Sequence, residues 1–414
     1  MKKFILGILS LAALIFSLVS CQSGKNPSDT SGTEINSYVV DGRQDREVRD
    51  DWQNIEITGE HELEVLFVNV GKADSIIIKL DGLYYMIDTG TSESVPYTLA
   101  ALNSMEVEKI ECVFLTHPDR DHVGGYSYIR ERYSVGTVYS SSICGDMYVI
   151  EGTAAEDTLV KLDPGEVVSA ADGAYFEVLG PIKYNPLDDN DNSLVLRLTV
   201  NGITFLFAGD MKFDEEKTLL NSEMGVKCDV LKVGYHGRKD ATSIDFLNSA
   251  QPKYAVISTS TNEDKDTAHD SVLGMLDGIG CEYYITEDFD LGIMISVSKD
   301  GDVSVENYKT SEIGDNIKID SVSKENQTVI LTNKTGSDID ISGWFIVSDR
   351  GGDVYCFPEG SVVKSGDDFI LACKEYTGEA DLIWNESKVW HETKSDRASL
   401  IDKWGNLIDD KKSK

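Results

Sequence analysis

Four side chains able to bind a divalent cation fall within six positions of the segment Thr116-His117-Pro118-Asp119-Arg120-Asp121-His122-Val123-Gly124-Gly125. Imidazole and carboxylate together suit zinc, manganese or iron. A regular helix or strand could not aim all four at one point, so the spacing predicts a loop curled around a site. Two further candidates close apolar runs in the same manner. Phe205-Leu206-Phe207-Ala208-Gly209-Asp210 ends in a carboxylate, and Val230-Leu231-Lys232-Val233-Gly234-Tyr235-His236-Gly237 ends in an imidazole. Three of the chain's six histidines therefore sit at strand ends near glycine, where backbone can approach a ligand closely.

The elements that must position these groups are short and β-rich. Leu63–Asn69, Ser75–Leu80 and Leu83–Asp88 read as strands, the last two joined by a tight Asp81-Gly82 turn. Asp88-Thr89-Gly90 follows, then a candidate helix with Pro96 near its start. A strand over Cys112–Leu115 delivers the His/Asp segment. Cys112, Cys228 and Cys281 lie in or beside apolar runs and read as small buried hydrophobes.

Taken together, these motifs resemble the metallo-β-lactamase superfamily, and within it the soluble domain of ComEC competence proteins. The resemblance is carried by Phe67-Val68-Asn69-Val70-Gly71-Lys72-Ala73-Asp74-Ser75, by Ile87-Asp88-Thr89-Gly90 and by His117-x-Asp119-x-Asp121-His122. It continues through Asn192-Ser193-Leu194-Val195-Leu196-Arg197-Leu198, Gly209-Asp210 and Tyr235-His236-Gly237, spanning about Leu63 to Val305. It implies an α/β fold, an αββα sandwich with two divalent metal ions, Zn2+ or Mn2+, at one edge between the sheets. His117 and Asp119 would hold one ion, Asp121, His122 and His236 the other, and Asp210 would bridge them. Asp121, His122 and Asp210 would be the catalytic set, acting through water made acidic by the ions. Asp74, Asp88, Asn192 and Ser193 would stand behind the ligands, orienting imidazoles and fixing turns.

The chain departs from the superfamily pattern in three places. Asp119 stands where most members have His, making one half-site richer in oxygen. No His occurs between His122 and His236, a region occupied by Asp188-Asp189-Asn190-Asp191-Asn192-Ser193. Tyr235-His236-Gly237-Arg238 replaces the usual His-His-Gly-Ser. The nitrogen-rich zinc site of β-lactam-hydrolysing members is thus not reproduced, and phosphodiesters, small or in nucleic acid, are the substrates the resemblance favours. Lys72, Arg120, Arg238 and Lys239 lie within the same motifs and could counter a phosphate, although single surface cations more often form salt bridges. His269 could contact substrate or cap a helix.

With 72 acidic against 38 basic residues and a formal charge of -34, the chain is ill suited to gripping long duplex DNA by broad electrostatics. Lys2 and Lys3 precede an apolar run from Phe4 to Val19 that ends in Ser20-Cys21, the arrangement of a secretory signal over 1–20. It resembles a bacterial lipobox, with Cys21 lipidated and the protein anchored outside the cytoplasm. Residues 21–60 read as a flexible Ser/Gly/Asn/Asp-rich stalk, and residues 61–308 as the hydrolase domain.

After a polar connector, short β-runs at Ile317–Val322, Gln327–Asn333, Gly343–Ser348, Val354–Phe357, Phe369–Cys373 and Ala398–Asp402 predict a small all-β sandwich over 317–410. Ile339-Asp340-Ile341-Ser342-Gly343-Trp344, Phe357-Pro358-Glu359-Gly360 and Leu400-Ile401-Asp402-Lys403-Trp404-Gly405 resemble the lamin-tail family, which implies immunoglobulin-like topology and no catalytic motif. Trp344, Trp384, Trp390 and Trp404 could fill its core or form an aromatic face for a cell-surface ligand. Cys356 and Cys373 could face each other across two strands as a disulfide. The main expectation is a lipid-anchored metal-dependent phosphodiesterase or nuclease. The rival is a surface-tethered binding protein with an inactive metal site.

Overall fold

The computed structural model describes residues 60–143, 159–171, 173–310 and 317–414. The signal segment 1–20, the lipidation candidate Cys21 and all but the last residue of the stalk 21–60 lie outside the described residues. No helix among the described residues is long and apolar enough to cross a membrane.

In chain order the first domain begins with β1 (Leu63–Val68), β2 (Ser75–Leu80), β3 (Leu83–Thr89), α1 (Val95–Ser104), β4 (Lys109–Leu115), α2 (Arg120–Val123), α3 (Tyr126–Arg132), β5 (Ser134–Ser141) and β6 (Leu159–Leu162). The second run comprises β7 (Val167–Ala171), β8 (Ala174–Gly180), β9 (Val195–Val200), β10 (Ile203–Phe207), α4 (Phe213–Leu220), β11 (Val230–Lys232), α5 (Ile244–Ala250), β12 (Tyr254–Ile257), α6 (Asp270–Gly278) and β13 (Glu282–Ile285). It returns through β14 (Gly292–Val297) and β15 (Val303–Tyr308) to the first sheet. The two sheets run β15-β14-β1-β2-β3-β4-β5-β6 and β13-β12-β11-β10-β9-β8-β7.

Strand alternation explains why these sheets stack with helices outside. In β1, Leu63, Val65 and Phe67 enter the core between the sheets, while Leu66 and Val68 face the layer of α1 and α3. In β10, Phe205 and Phe207 point to the same central core, and Leu206 with Ala208 packs under the second helical layer. Both faces of these central strands are thus apolar, giving an αββα sandwich. The hairpin at Asp81-Gly82 has positive φ at both residues (51 and 81), as a type I′ turn requires.

Parallel pairing sets where the site must lie. β3, β4 and β5 run parallel in one sheet, and β10, β11, β12 and β13 in the other. The Asp88, His117, Asp210, His236 and Ser258 positions all fall at or just past carboxyl ends of these strands, where open α/β sheets leave a crevice.

The second domain places Ile317–Ser323, Thr328–Asn333, Asp368–Cys373 and Leu382–Trp384 in one sheet and Val354–Cys356, Phe345–Ser348, Arg397–Ile401 and Leu407–Lys412 in another. Trp344, Trp384 and Trp390 are buried in the core between them, so the aromatic face considered from sequence does not form. Trp404 is half-buried, and its carbonyl accepts a hydrogen bond from Thr310 Oγ1 at 2.5 Å. Cys356 and Cys373 are separate thiols, a correction to the disulfide option. Their strands belong to different sheets, Cys373 entering the domain's own core and Cys356 packing toward the first domain. Cys112, Cys228 and Cys281 are buried as expected.

The start of α4 carries a buried acid. Glu215 Oε1 accepts the Ile182 amide at 2.7 Å, and Asp191 Oδ1 accepts the Lys212 and Glu215 amides at 3.0 and 3.3 Å, fixing the 188–193 loop against the helix. Burial pushes the Glu215 carboxyl up to about 7 from 4.5, against the backbone donors that favour its charge and with the help of Asp191. Because the folded state holds this proton more tightly, the associated stability is present below pH 4.5 and lost as pH rises through about 7. Glu215→Gln should therefore melt higher than the parent at pH 8, by on the order of 1–3 kcal/mol. Thermal melts should show the difference closing as pH falls toward the ordinary glutamate range.

Candidate metal centre

The first candidate ligand loop is built from β4 and α2. Asp119 begins α2 in an extended conformation, yet its carboxylate does not cap the helix; Oδ2 lies 3.6 Å from His117 Nε2 instead. Helix α2 is tied inward by Thr89 Oγ1 donating to the His122 carbonyl at 2.9 Å and by the Asp74 amide donating to the Asp121 carbonyl at 3.1 Å. On the opposite sheet, Gly209 (φ 54) leads into Asp210, and a Cβ there would lie 2.9 Å from Ser193 Cβ and 3.2 Å from Thr116 Cβ. Glycine is what lets the two sheets approach at this point. Tyr235 (φ 47, ψ 46) and His236 (φ 52, ψ 26) are consecutive left-handed residues without glycine's freedom, a conformation costing roughly 1–3 kcal/mol each. It turns His236 inward, where its Nδ1 donates to the Ser258 carbonyl at 2.7 Å.

Asp121, His122, Asp210 and His236 each offer one ligand atom, all within 4.8 Å of one another. His122 Nε2 and His236 Nε2 lie 3.3 and 3.1 Å from Asp210 Oδ2, and Asp121 Oδ2 is 3.5 Å from His236 Nε2. His117 and Asp119 stand beside this group as a pair, with the His117 and His122 rings 4.1 Å apart. The other nitrogen of each imidazole is engaged. His122 Nδ1 meets Asp88 Oδ2 at 2.7 Å, and His117 Nδ1 lies 3.1 Å from Thr116 Oγ1 and 3.3 Å from Ser193 Oγ. Asp88 is fixed in turn by the Thr116 amide (2.8 Å) and hydroxyl (2.7 Å).

That leaves Nε2 of His117, His122 and His236, together with Asp210 Oδ1, as buried polar atoms without a hydrogen-bond partner. Buried polar atoms are normally satisfied, so several of them grouped together mark a place built for something else. The electrostatics favour a cation. Burial disfavours charge on His122, but Asp210 and Asp88 outweigh it and hold its pKa well above the usual imidazole range. Burial likewise opposes the Asp210 charge, and His236 and His122 overcome it, keeping the carboxylate ionised far below its usual range. Imidazole nitrogen and carboxylate oxygen are donors that zinc and manganese both accept, so the residues fit a divalent ion.

Ser193 Oγ accepts the Asp210 amide at 3.0 Å and so joins the two ligand loops. Asn192 lies farther back, its amide donating to the Asn185 and Asp188 carbonyls at 2.9 and 3.2 Å. Asp74 is buried 3.7 Å from His122 Nδ1 and 3.8 Å from His236 Nδ1, but its closest partner is Lys232. The Lys232 ammonium, itself fully buried, also donates to the Gly209 carbonyl at 3.0 Å and lies 3.8 Å from Asp210 Oδ1. Sequence reading passed over this lysine. The signal was a lone cation inside Val230-Leu231-Lys232-Val233, paired in register with inward-facing Phe207.

The cations singled out from sequence divide. Lys72 Nζ is 2.5 Å from Asp121 Oδ2, at the ligand cluster. Arg238 pairs with Asp264, and Lys212, overlooked before, binds Asp188 and Asp240 at 2.8 and 3.0 Å. All three lie within 6.0 Å of the Tyr235 ring centre. Arg120 points away to Glu93 and Ser92, and Lys239 is exposed. His269 caps α6, its Nδ1 accepting the Ser271 amide at 3.2 Å.

An αββα sandwich with imidazoles and carboxylates gathered at the strand ends between its sheets is the arrangement of the metallo-β-lactamase fold. The chain carries a metallo-beta-lactamase superfamily domain, matched over residues 68–261, followed by an immunoglobulin-like lamin tail domain, matched over 298–413. Over 236 residues it is 28% identical to ComE operon protein 3 of Bacillus subtilis (strain 168), covering 51% of this chain and 30% of that protein. It is 30% identical over 207 residues to competence protein ComA of Neisseria gonorrhoeae, covering 49% and 28%. The chain therefore spans less than a third of the length of these relatives. Among solved structures, the metallo-beta-lactamase fold protein YhfI from Bacillus subtilis aligns with 57% of this chain and 100% of its own, at 12% identity and a TM-score of 0.41.

Two substitutions test the geometry. Asp88→Asn keeps the shape but removes the carboxylate behind His122, and should weaken Mn2+ or Zn2+ binding about 10–100-fold in calorimetric titrations. Lys232→Met strands the Asp74 carboxylate in the interior and should cost about 3–5 kcal/mol in denaturant unfolding. Unchanged metal affinity in the first, or unchanged stability in the second, would show that these contacts do not hold the site.

Proposed function

We propose that the protein is a metal-dependent hydrolase of phosphodiester bonds, in nucleic acid or in smaller diesters, and that it works outside the cytoplasm on a lipid anchor at Cys21. The observation that carries the hydrolase reading is the set of buried Nε2 atoms on His117, His122 and His236 beside an ionised Asp210. The competence proteins among its relatives support nucleic acid as the substrate class. The anchor rests on the N-terminal pattern alone.

Asp121, His122, Asp210 and His236 would hold one divalent ion, and His117 with Asp119 a second. Zn2+ or Mn2+ there would make water a nucleophile at neutral pH and polarise a phosphoryl oxygen. The chain's own residues supply the rest. Asp88, Thr116 and Ser193 and the Ser258 carbonyl fix the imidazole rings, so that Nε2 is the nitrogen presented. Lys232 sets Asp74 and faces Oδ1 of Asp210, leaving Oδ2 toward the two imidazoles. Lys72, Lys212 and Arg238 collect around Tyr235 beside the cluster, where a substrate phosphate can exchange for their carboxylate partners.

Purified protein refilled with Mn2+ or Zn2+ should hydrolyse bis-p-nitrophenyl phosphate or short single-stranded DNA. His122→Ala and Asp210→Ala should each lower turnover on the order of a hundredfold or more. Tight metal uptake with no turnover of any ester, amide or phosphodiester would contradict the proposal and leave a surface-tethered binding protein.

A further inference from the structure

The β-domain does not hang from a connector. Its strand Phe345–Ser348 is buried on both faces: Ile346 enters the domain's own core, while Phe345 and Val347 join the cluster that contains Val95, Leu99 and Leu102 of α1 and Tyr126 and Ile129 of α3. Ile401 joins them from the neighbouring strand. Gly405 comes so close that a Cβ on it would lie 3.1 Å from Ala100 Cβ and 3.0 Å from Leu291 Cδ1.

This contact ends at the ligand-bearing helix. Gly352 has φ +72, and a Cβ there would lie 2.2 Å from Arg120 Nη2 and 2.6 Å from Glu93 Oε1. Arg120 is the residue between Asp119 and Asp121, and its guanidinium donates to Glu93 and, at 3.2 Å, to Ser92 Oγ. Beside it, Val354 and Tyr128 of α3 pack against the same apolar cluster. Helix α2 has a single turn, too short to hold its own shape, so outside contacts must fix the direction of its side chains. On its inner side these come from Thr89 and Asp74; on its outer side Gly352 of the β-domain turn lies against the Arg120–Glu93 pair, whose arginine otherwise stays exposed.

We infer that the lamin tail domain is part of the metal-site scaffold, its Arg350–Asp353 turn holding α2, and with it Asp119, Asp121 and His122, through Arg120 and Glu93. Arg120 and Gly352 are positioning residues in this account, and the role rests on the metal-site reading above.

Mn2+ titration of the full-length protein by calorimetry and electron paramagnetic resonance tests it. Gly352→Val, which drives a branched side chain into the Arg120–Glu93 pair, should weaken Mn2+ binding about tenfold and broaden the bound-Mn2+ signal. Arg120→Ala and Glu93→Gln should each weaken it roughly two- to fivefold, with Arg120→Lys recovering most of the loss. Leu331→Val loosens the domain's own core from its other sheet, away from the contact, and should lower the melting temperature while leaving Mn2+ affinity intact. Should Gly352→Val fail to fold, the Arg120 and Glu93 variants decide alone. If the parent binds Mn2+ and the folded variants bind it equally well, the scaffold role is wrong. If the parent takes up no Mn2+, the metal-centre reading itself falls, and this inference with it.

Discussion

Three buried imidazoles each have one nitrogen occupied and the other turned toward the same small space. The occupied nitrogens face groups that cannot easily move: a carboxylate that accepts two hydrogen bonds from Thr116, a pair of hydroxyls, and a strand-end carbonyl. The rest of the site serves to hold Nε2 of His117, His122 and His236 buried beside Asp210. The cost is considerable, since each such atom forfeits hydrogen bonds that water would supply. Under the proposed function a divalent ion would offset it. The strained pair Tyr235-His236, the glycine at 209 and the internal lysine at 232 all serve that one arrangement.

The αββα sandwich supplies the rigidity. Its central cluster of Phe67, Phe114, Phe176, Phe205 and Phe207 locks two sheets face to face, which fixes the separation between the His117–His122 loop and the Asp210 and His236 loops. The carboxyl ends of parallel strands then converge on the buried cluster. The outer helical layers anchor the loops from behind, and on one side the lamin tail domain extends that anchoring with Phe345, Val347 and Ile401.

The ligand loop was readable because its information is local: His117, Asp119, Asp121 and His122 crowd one stretch, and Asp210 and His236 each end an apolar strand beside a glycine. The two-layer fold was readable for the same reason, as its strands carry apolar residues on both faces. What escaped depends on tertiary contact. Phe345-Ile346-Val347 reads as one apolar run, and nothing in it says that alternate residues serve two different domains. Cys356 and Cys373 look like partners along the chain, but sheet membership separates them. Arg120 could by its place in the motif meet a phosphate or form a salt bridge, and only the fold shows that α2 turns it outward to Glu93. Lys232 was hidden by its type, because a lysine is expected at the surface and a buried one is tolerated only with a carboxylate waiting.

Anomalous diffraction from crystals grown with Mn2+ or Zn2+ would test the central claim most directly. The account requires a strong peak about 2.0–2.3 Å from Nε2 of His122 and His236 and from carboxylate oxygens of Asp121 and Asp210. A second, weaker peak should lie against His117 and Asp119. Metal bound only elsewhere on the acidic surface, with the three imidazoles filled by water or turned away from one another, would contradict it.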